Sequence, residues 1–128
     1  MITVLVADDH TVLRDGLRYL LEAQGDIQIV GMAANGQEAV DQAIQYCPDV
    51  VVMDISMPVM NGIEATKLIC RSCRNTKVVI LSMHHTAEYM QRALEAGAQG
   101  YLLKDSAGTE LVTAIRALNH GQPYFSHK

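Results

Sequence analysis

The sequence predicts an α/β domain built on a parallel sheet with helices on both faces. Three observations carry this prediction. Short apolar runs bounded by turn residues alternate five times with stretches of helical periodicity. The connections between them are short, with no repeat and no low-complexity segment. One run, Val50-Val51-Val52-Met53, is apolar throughout and ends on Asp54, as expected of a strand covered on both faces.

The elements follow in order. Ile2 to Ala7 is strand-like and closes on Asp8-Asp9-His10. Thr11 is the expected N-cap of a helix carrying Leu13, Leu17, Leu20 and Leu21 and stopped near Gly25. Ile27 to Ala33 gives a second strand, and Asn35-Gly36 marks a turn. Ala39, Val40, Ala43, Ile44 and Cys47 line one face of the next helix, with Pro48 beyond its end. After the central strand, Asn61-Gly62 turns into a helix from about Ile63 to Cys73. Lys77 to Ser82 is the fourth strand. Tyr89, Met90, Ala93 and Leu94 give a helix stopped by Gly97. Gly100 to Leu103 is a short fifth strand ending at Lys104. Ser106 is the expected cap of a last helix with Leu111, Ala114, Ile115 and Leu118, ended by His120-Gly121 and Pro123. Right-handed crossovers leave few topologies for five such units. The flavodoxin-like, doubly wound strand order 2-1-3-4-5 leads, with the first and last helices on one face.

Composition narrows the function. At 128 residues, 49% of them hydrophobic, the chain is one folded domain by size. The net charge is −4 and the ten basic residues are scattered, so no basic stripe with interleaved aromatics marks a nucleic-acid surface. No run approaches the ~18 apolar residues that span a bilayer. Three cysteines, an odd number, and no secretory apolar region after Met1 fit a reduced, cytoplasmic setting. Cys70-Arg71-Ser72-Cys73 has redox-motif spacing, but it falls at the end of a helical stretch, where at least one of the two is expected to be a small core residue.

In such a fold all strands deliver their C-terminal ends to one edge. That edge receives Asp8 and Asp9 from the first strand, Asp54 from the third with Ser56 and Met57 in the following loop, Ser82 from the fourth and Lys104 from the fifth. Converging carboxylates repel one another and are tolerable around a hard divalent cation, for which magnesium is the fitting ion. An ammonium and a hydroxyl beside them complete a place for a phosphoryl group. Asp54, central on the sheet, is the candidate nucleophile.

These residues resemble the receiver domain of two-component response regulators. The likeness rests on Asp8-Asp9, Asp54 followed by Met57-Pro58 and Asn61-Gly62, Ser82, and Lys104, in order and over nearly the whole chain. Leu81-Ser82-Met83-His84, Ala93-Leu94-Glu95-Ala96-Gly97-Ala98 and Gly100-Tyr101-Leu102-Leu103-Lys104-Asp105 look most like the NarL/LuxR-type subgroup. The resemblance implies a CheY-like (βα)5 fold and a phosphorylation-activated switch. Asp54 would accept the phosphoryl group from a sensor histidine kinase. Asp9 and Asp54 would ligate Mg2+, with Asp8 acting through water and the Ser56 backbone carbonyl completing the protein's share. Lys104 would pair with the acyl phosphate, Ser82 would hydrogen-bond it, and Tyr101 would follow inward. The face built from the fourth helix, fifth strand and fifth helix would then alter dimerisation or free a C-terminal helix-turn-helix domain that binds DNA. On this reading residues 1–122 are the receiver and 123–128 begin a linker to a domain outside the chain.

Two departures from the family pattern stand out. Asp105 replaces the proline that often follows the lysine, which leaves the Lys104–Asp105 isomer open. Met83, bulkier than usual beside the switch serine, is expected to narrow access to Asp54. His10, His84 and His85 lie near the cleft, as rim residues or as metal or pH-sensing groups. Three rivals remain at this point. A haloacid-dehalogenase-like phosphatase would need a carboxylate where Ser56 stands. A flavin module would not place Asp8-Asp9 against a phosphate. A phosphorylation-independent receiver-like scaffold would not need the full acidic and lysine set.

Overall fold

In the computed structural model, which describes residues 1–83 and 87–125, Val50–Asp54 forms a strand whose every residue is buried. Its side chains alternate between two cores. Val51 and Met53 join Leu5 and Ile80 on one face, whereas Val50 and Val52 join Val4, Val6 and Leu81 on the other. Full burial of each such side chain contributes about 1.5–3 kcal/mol.

This strand is β3 in the order β1 (Ile2–Ala7), α1 (Thr11–Glu22), β2 (Ile27–Ala33), α2 (Gly36–Tyr46), β3 (Val50–Asp54), α3 (Gly62–Ser72), β4 (Lys77–Ser82), α4 (Ala87–Ala96), β5 (Gly100–Leu103), a 3-10 turn (Lys104–Ser106), α5 (Ala107–Asn119) and β6 (Tyr124–Phe125). The sheet order is β2-β1-β3-β4-β5-β6 and every pairing is parallel. The predicted order 2-1-3-4-5 is present. Helices α1 and α5 cover one face, and α2, α3 and α4 cover the other.

A sixth strand was not anticipated. Tyr124 and Phe125 pair with Gly100 and Tyr101, and the Tyr124 hydroxyl hydrogen-bonds a Glu110 carboxylate oxygen at 2.8 Å. Ordered pairing therefore continues past the boundary expected at residue 122. Two residues after Pro123 carry no periodicity, so nothing in the local sequence marks them as a strand.

Helix starts differ in how they are capped. Asn35 accepts the Glu38 N–H at 2.9 Å while Glu38 reaches back to the Ala34 N–H at 2.9 Å, and Asn61 accepts the Glu64 N–H at 2.9 Å. Thr11 is not the cap of α1. His10 holds that position without a side-chain cap bond; its ring Nδ1 instead lies 3.1 Å from Asp8 Oδ1 and 3.2 Å from Asp9 Oδ1. Ser106 likewise makes no side-chain cap bond, since the chain enters α5 through the 3-10 turn. On α2, Ala39, Val40 and Ala43 face the core, but Ile44 is exposed, and Cys47 is exposed as the residue that ends the helix. Each helical step of about 100° carries Ile44 off the stripe that Ala43 closes. Among the described residues no helix is long and apolar enough to cross a membrane.

Three side-chain bonds set the sheet's register at the edge away from Asp54. The Asp49 carboxylate accepts the Thr3 N–H at 2.9 Å and the Thr3 hydroxyl at 3.2 Å, and the Thr76 hydroxyl donates to the Pro48 carbonyl at 2.7 Å. Replacing Asp49 by alanine leaves the Thr3 N–H without this acceptor. Asp49→Ala is expected to lower unfolding free energy by about 1–3 kcal/mol, read as a fall in the urea midpoint with unchanged slope.

Candidate functional site

Strand register alone brings the site together. Ala7 pairs with Met53, so Asp8 and Asp54 emerge side by side. Asp54 pairs with Leu81, and Ser82 pairs with Leu103, directly before Lys104. Asp8, Asp54 and Ser82 are 1%, 2% and 1% exposed. The Lys104 ammonium lies 3.2 Å from Asp54 Oδ1 and 3.5 Å from Asp8 Oδ2. Asp9 is partly exposed at the mouth.

The loop after β3 is shaped by close backbone approach. Ile55 N–H continues the ladder to the Leu81 carbonyl at 3.4 Å, and Gly62 N–H returns to the Ile55 carbonyl at 2.8 Å. A Cβ on Gly62 would collide with the Asp54 carbonyl, which is why Asn61-Gly62 stands there. The Ser56 N–H donates to Asp54 Oδ1 at 3.3 Å.

The electrostatics are unbalanced. Two buried carboxylates share one ammonium, and a third carboxylate stands beside them. Burial, the largest cause, pushes the Asp54 carboxyl above the ordinary aspartate value, and the Asp8 charge adds to it. The Lys104 charge and hydrogen bond and the Ser56 N–H pull it back. The Oδ2 atoms of Asp8 and Asp54 are buried and accept no hydrogen bond among the described residues, although Lys104 gives Asp8 Oδ2 its 3.5 Å ion pair. Donor atoms of Asp8, Asp9, His10 and Asp54 all lie within 4.8 Å of one another. Oxygen donors of this kind fit a hard divalent cation.

Sequence-predicted residues fall out as follows. Asp8, Asp9, Asp54, Ser82 and Lys104 converge as expected, and Ser56 lies in the adjoining loop. Tyr101 is already buried, 1% exposed. Burial pushes its phenol up, and a hydrogen bond with Ser82 opposes that shift. Met83 directly follows the last residue of β4, and its side chain is 70% exposed. The Lys104–Asp105 bond is trans. His84 and His85 lie outside the described residues.

His10 is more engaged than a rim residue. Its Nδ1 sits 3.1 Å from Asp8 Oδ1 and 3.2 Å from Asp9 Oδ1. The Arg14 guanidinium donates to the Asp8 carbonyl at 2.7 Å. This contact was not anticipated: Arg14 lies on a helix whose pattern marks it only as a polar-face residue. The full turn of helix between Asp8 and Arg14 is what folds it back.

A neutral side chain at position 54 removes the charge that burial penalises. Because the folded-state carboxyl is raised, its contribution to stability is full below the unfolded aspartate value and is lost as pH rises through the folded one. Asp54→Asn is expected to melt at a higher temperature than wild type at neutral pH, with the difference shrinking as pH falls. Thermal melts of both proteins across that range check this.

Comparison with known proteins agrees with the geometry. Residues 4–116 match the family described as response regulator receiver domain. The transcriptional regulatory protein LiaR of Bacillus subtilis is 44% identical over 128 residues, all of this chain and 61% of that protein. The response regulator UvrY of Escherichia coli is 42% identical over 126 residues, 98% of this chain and 58% of that protein. The chain thus spans about three-fifths of the length of these relatives. The signal receiver domain of the putative response regulator NarL from Mycobacterium tuberculosis superposes with a TM-score of 0.89 at 35% identity, covering 94% of this chain and 98% of that one. A two-component response regulator of the LuxR family from Aurantimonas gives a TM-score of 0.90 at 37% identity, covering 95% and 87%. The chain belongs to the response-regulator receiver family, in its NarL/LuxR-type branch, and is a signalling domain of two-component systems.

Proposed function

We propose that this domain is switched by phosphorylation of Asp54. A carboxylate oxygen of Asp54 attacks the phosphorus of a phosphohistidine on a sensor histidine kinase. The P–N bond breaks, the imidazole leaves, and an aspartyl phosphate forms. The observation that carries this reading is the buried Asp8–Asp54 pair sharing the ammonium of Lys104, with one oxygen of each carboxylate accepting no hydrogen bond among the described residues.

Magnesium would be held by Asp9, Asp54 and the Ser56 carbonyl, with Asp8 acting through water, and it would supply positive charge for the transferring phosphoryl oxygens. Lys104 is placed to pair with the same oxygens, since its ammonium already contacts Asp54. Gly62 and the Ile55 backbone bonds fix the nucleophile's main chain, so that the carboxylate is presented in one orientation.

The switch is a two-state equilibrium biased by the new charge. Moving it from about 1:99 to about 99:1 requires roughly 5.5 kcal/mol of preference for the active state. Charge-assisted hydrogen bonds from Lys104 and Ser82, at roughly 1.5–3 kcal/mol each, are of the right size. Ser82 turning toward the phosphate would change its bond with Tyr101, which packs in the core that α4 covers. The output would pass through α4, β5 and α5 to a homodimer contact or to a C-terminal DNA-binding domain beyond this chain. It would regulate transcription in the cytoplasm, without direct nucleic-acid binding by this domain.

Incubation with a small acyl-phosphate donor tests the chemistry. Wild type is expected to gain the mass of one phosphate only when magnesium is present, and Asp54→Asn to gain none. Lys104→Ala is expected to slow the reaction by on the order of 10²-fold. Magnesium-independent labelling, or equal labelling of Asp54→Asn, would sink the assignment.

A further inference from the structure

The three cysteines are not paired as their spacing suggests. Cys70 and Cys73 share one helix end, yet their thiols part. Cys70 donates to the Gly97 carbonyl at 3.5 Å, at the end of α4. Cys73 donates to the Ala43 carbonyl at 3.5 Å, in the last turn of α2. That same carbonyl accepts the Cys47 N–H at 2.8 Å. The Cys47 thiol donates to the neighbouring Ile44 carbonyl at 3.6 Å, so two cysteines distant in sequence converge on the last turn of α2, where α2 and α3 end.

Their surroundings differ. Cys73 is 6% exposed, whereas Cys47 is open to solvent. Both line an open cavity of about 410 Å³ with Asp49, Arg74 and Thr76, at the edge of the sheet away from Asp54. Cys47 holds φ 46° and ψ 58°, a left-handed conformation that a residue with a Cβ keeps only when its surroundings impose it. No part of the phosphoryl chemistry uses this corner.

We propose that Cys47 and Cys73 form a reversible redox pair that a small hydroperoxide converts to a disulfide. Cys47, the exposed thiol, loses its proton and its sulfur attacks one peroxide oxygen. The O–O bond breaks, an S–O bond forms, and the departing oxygen takes up the proton and leaves as water (or as an alcohol from an organic hydroperoxide). The Cys73 sulfur then attacks the sulfenic sulfur of Cys47. The S–O bond breaks, the S–S bond forms, and the hydroxide leaves with the Cys73 proton as water. Two thiols are oxidised by two electrons and the peroxide is reduced. Burial pushes the Cys73 thiol up, which disfavours Cys73 as the thiol that meets the peroxide first. The bridge would tie the end of α2 to the end of α3 and close a loop containing β3 and Asp54 itself.

The test uses the whole chain, hydrogen peroxide at low molar excess, intact-mass measurement and peptide mapping. Wild type is expected to lose the mass of two hydrogens, to yield a Cys47–Cys73 crosslinked peptide, and to recover fully with a dithiol reductant. Its melting temperature is expected to rise on oxidation, because the bridge restricts the unfolded chain. Cys70→Ser is expected to behave as wild type. Cys47→Ser, at an exposed position, is expected to form no bridge. In Cys73→Ala, Cys47 is expected to gain oxygens instead of losing hydrogens. A crosslink that maps to Cys70, or wild-type oxidation that adds oxygens to Cys47 with no crosslink, would overturn the proposal.

Discussion

Two carboxylates, Asp8 and Asp54, are taken out of water at the end of adjacent strands and left with one ammonium between them. Opposite unit charges about 4 Å apart are worth roughly 4 kcal/mol at an effective dielectric near 20, so Lys104 offsets part of the repulsion and of the burial cost. It cannot offset all of it, and the Asp54 carboxyl stays raised. The rest of the structure serves this imbalance. The all-buried β3 holds the backbone of Asp54, Gly62 admits the loop close behind it, and the register of β1, β3, β4 and β5 sets the distances. A site that is uncomfortable without further positive charge is poised to respond when charge is added.

The fold was legible because its signals are local and mutually consistent. Fully apolar strands, helical stripes ended by glycine, and turns at Asn35-Gly36 and Asn61-Gly62 each point to the same alternation. Strand-end chemistry was legible for the same reason: in a parallel sheet, position along the strand fixes the edge to which a residue is delivered. Asp54, Lys104 and Ser82 are met where the pattern put them. What could not be seen were contacts that depend on three-dimensional return. Arg14 folding back to the Asp8 carbonyl, His10 between two carboxylates, and β6 alongside β5 leave no periodic trace.

Capping differs from expectation for physical reasons. Thr11 has a side chain suited to capping but is the first residue of α1, and His10 takes the cap position; Ser106 holds the cap position of α5 but makes no side-chain bond there, since the chain enters through a 3-10 turn. Tyr101 is buried beside Ser82, so a phosphate-driven rearrangement would alter an existing contact between them, with no need to draw an exposed ring inward. The redox spacing of Cys70 and Cys73 does not bring those thiols together: Cys73 is a buried core residue, as expected, and the two thiols meet different neighbours.

The central claim is that Asp54, Asp9 and Asp8 form one incompletely neutralised acidic site. Calorimetric titration with magnesium addresses it most directly. Wild type is expected to bind one ion, and both Asp54→Asn and Asp9→Asn to weaken that binding by at least about tenfold, the equivalent of roughly 1.4 kcal/mol. Magnesium affinity unchanged in Asp54→Asn and Asp9→Asn, or no binding by wild type, would contradict the account.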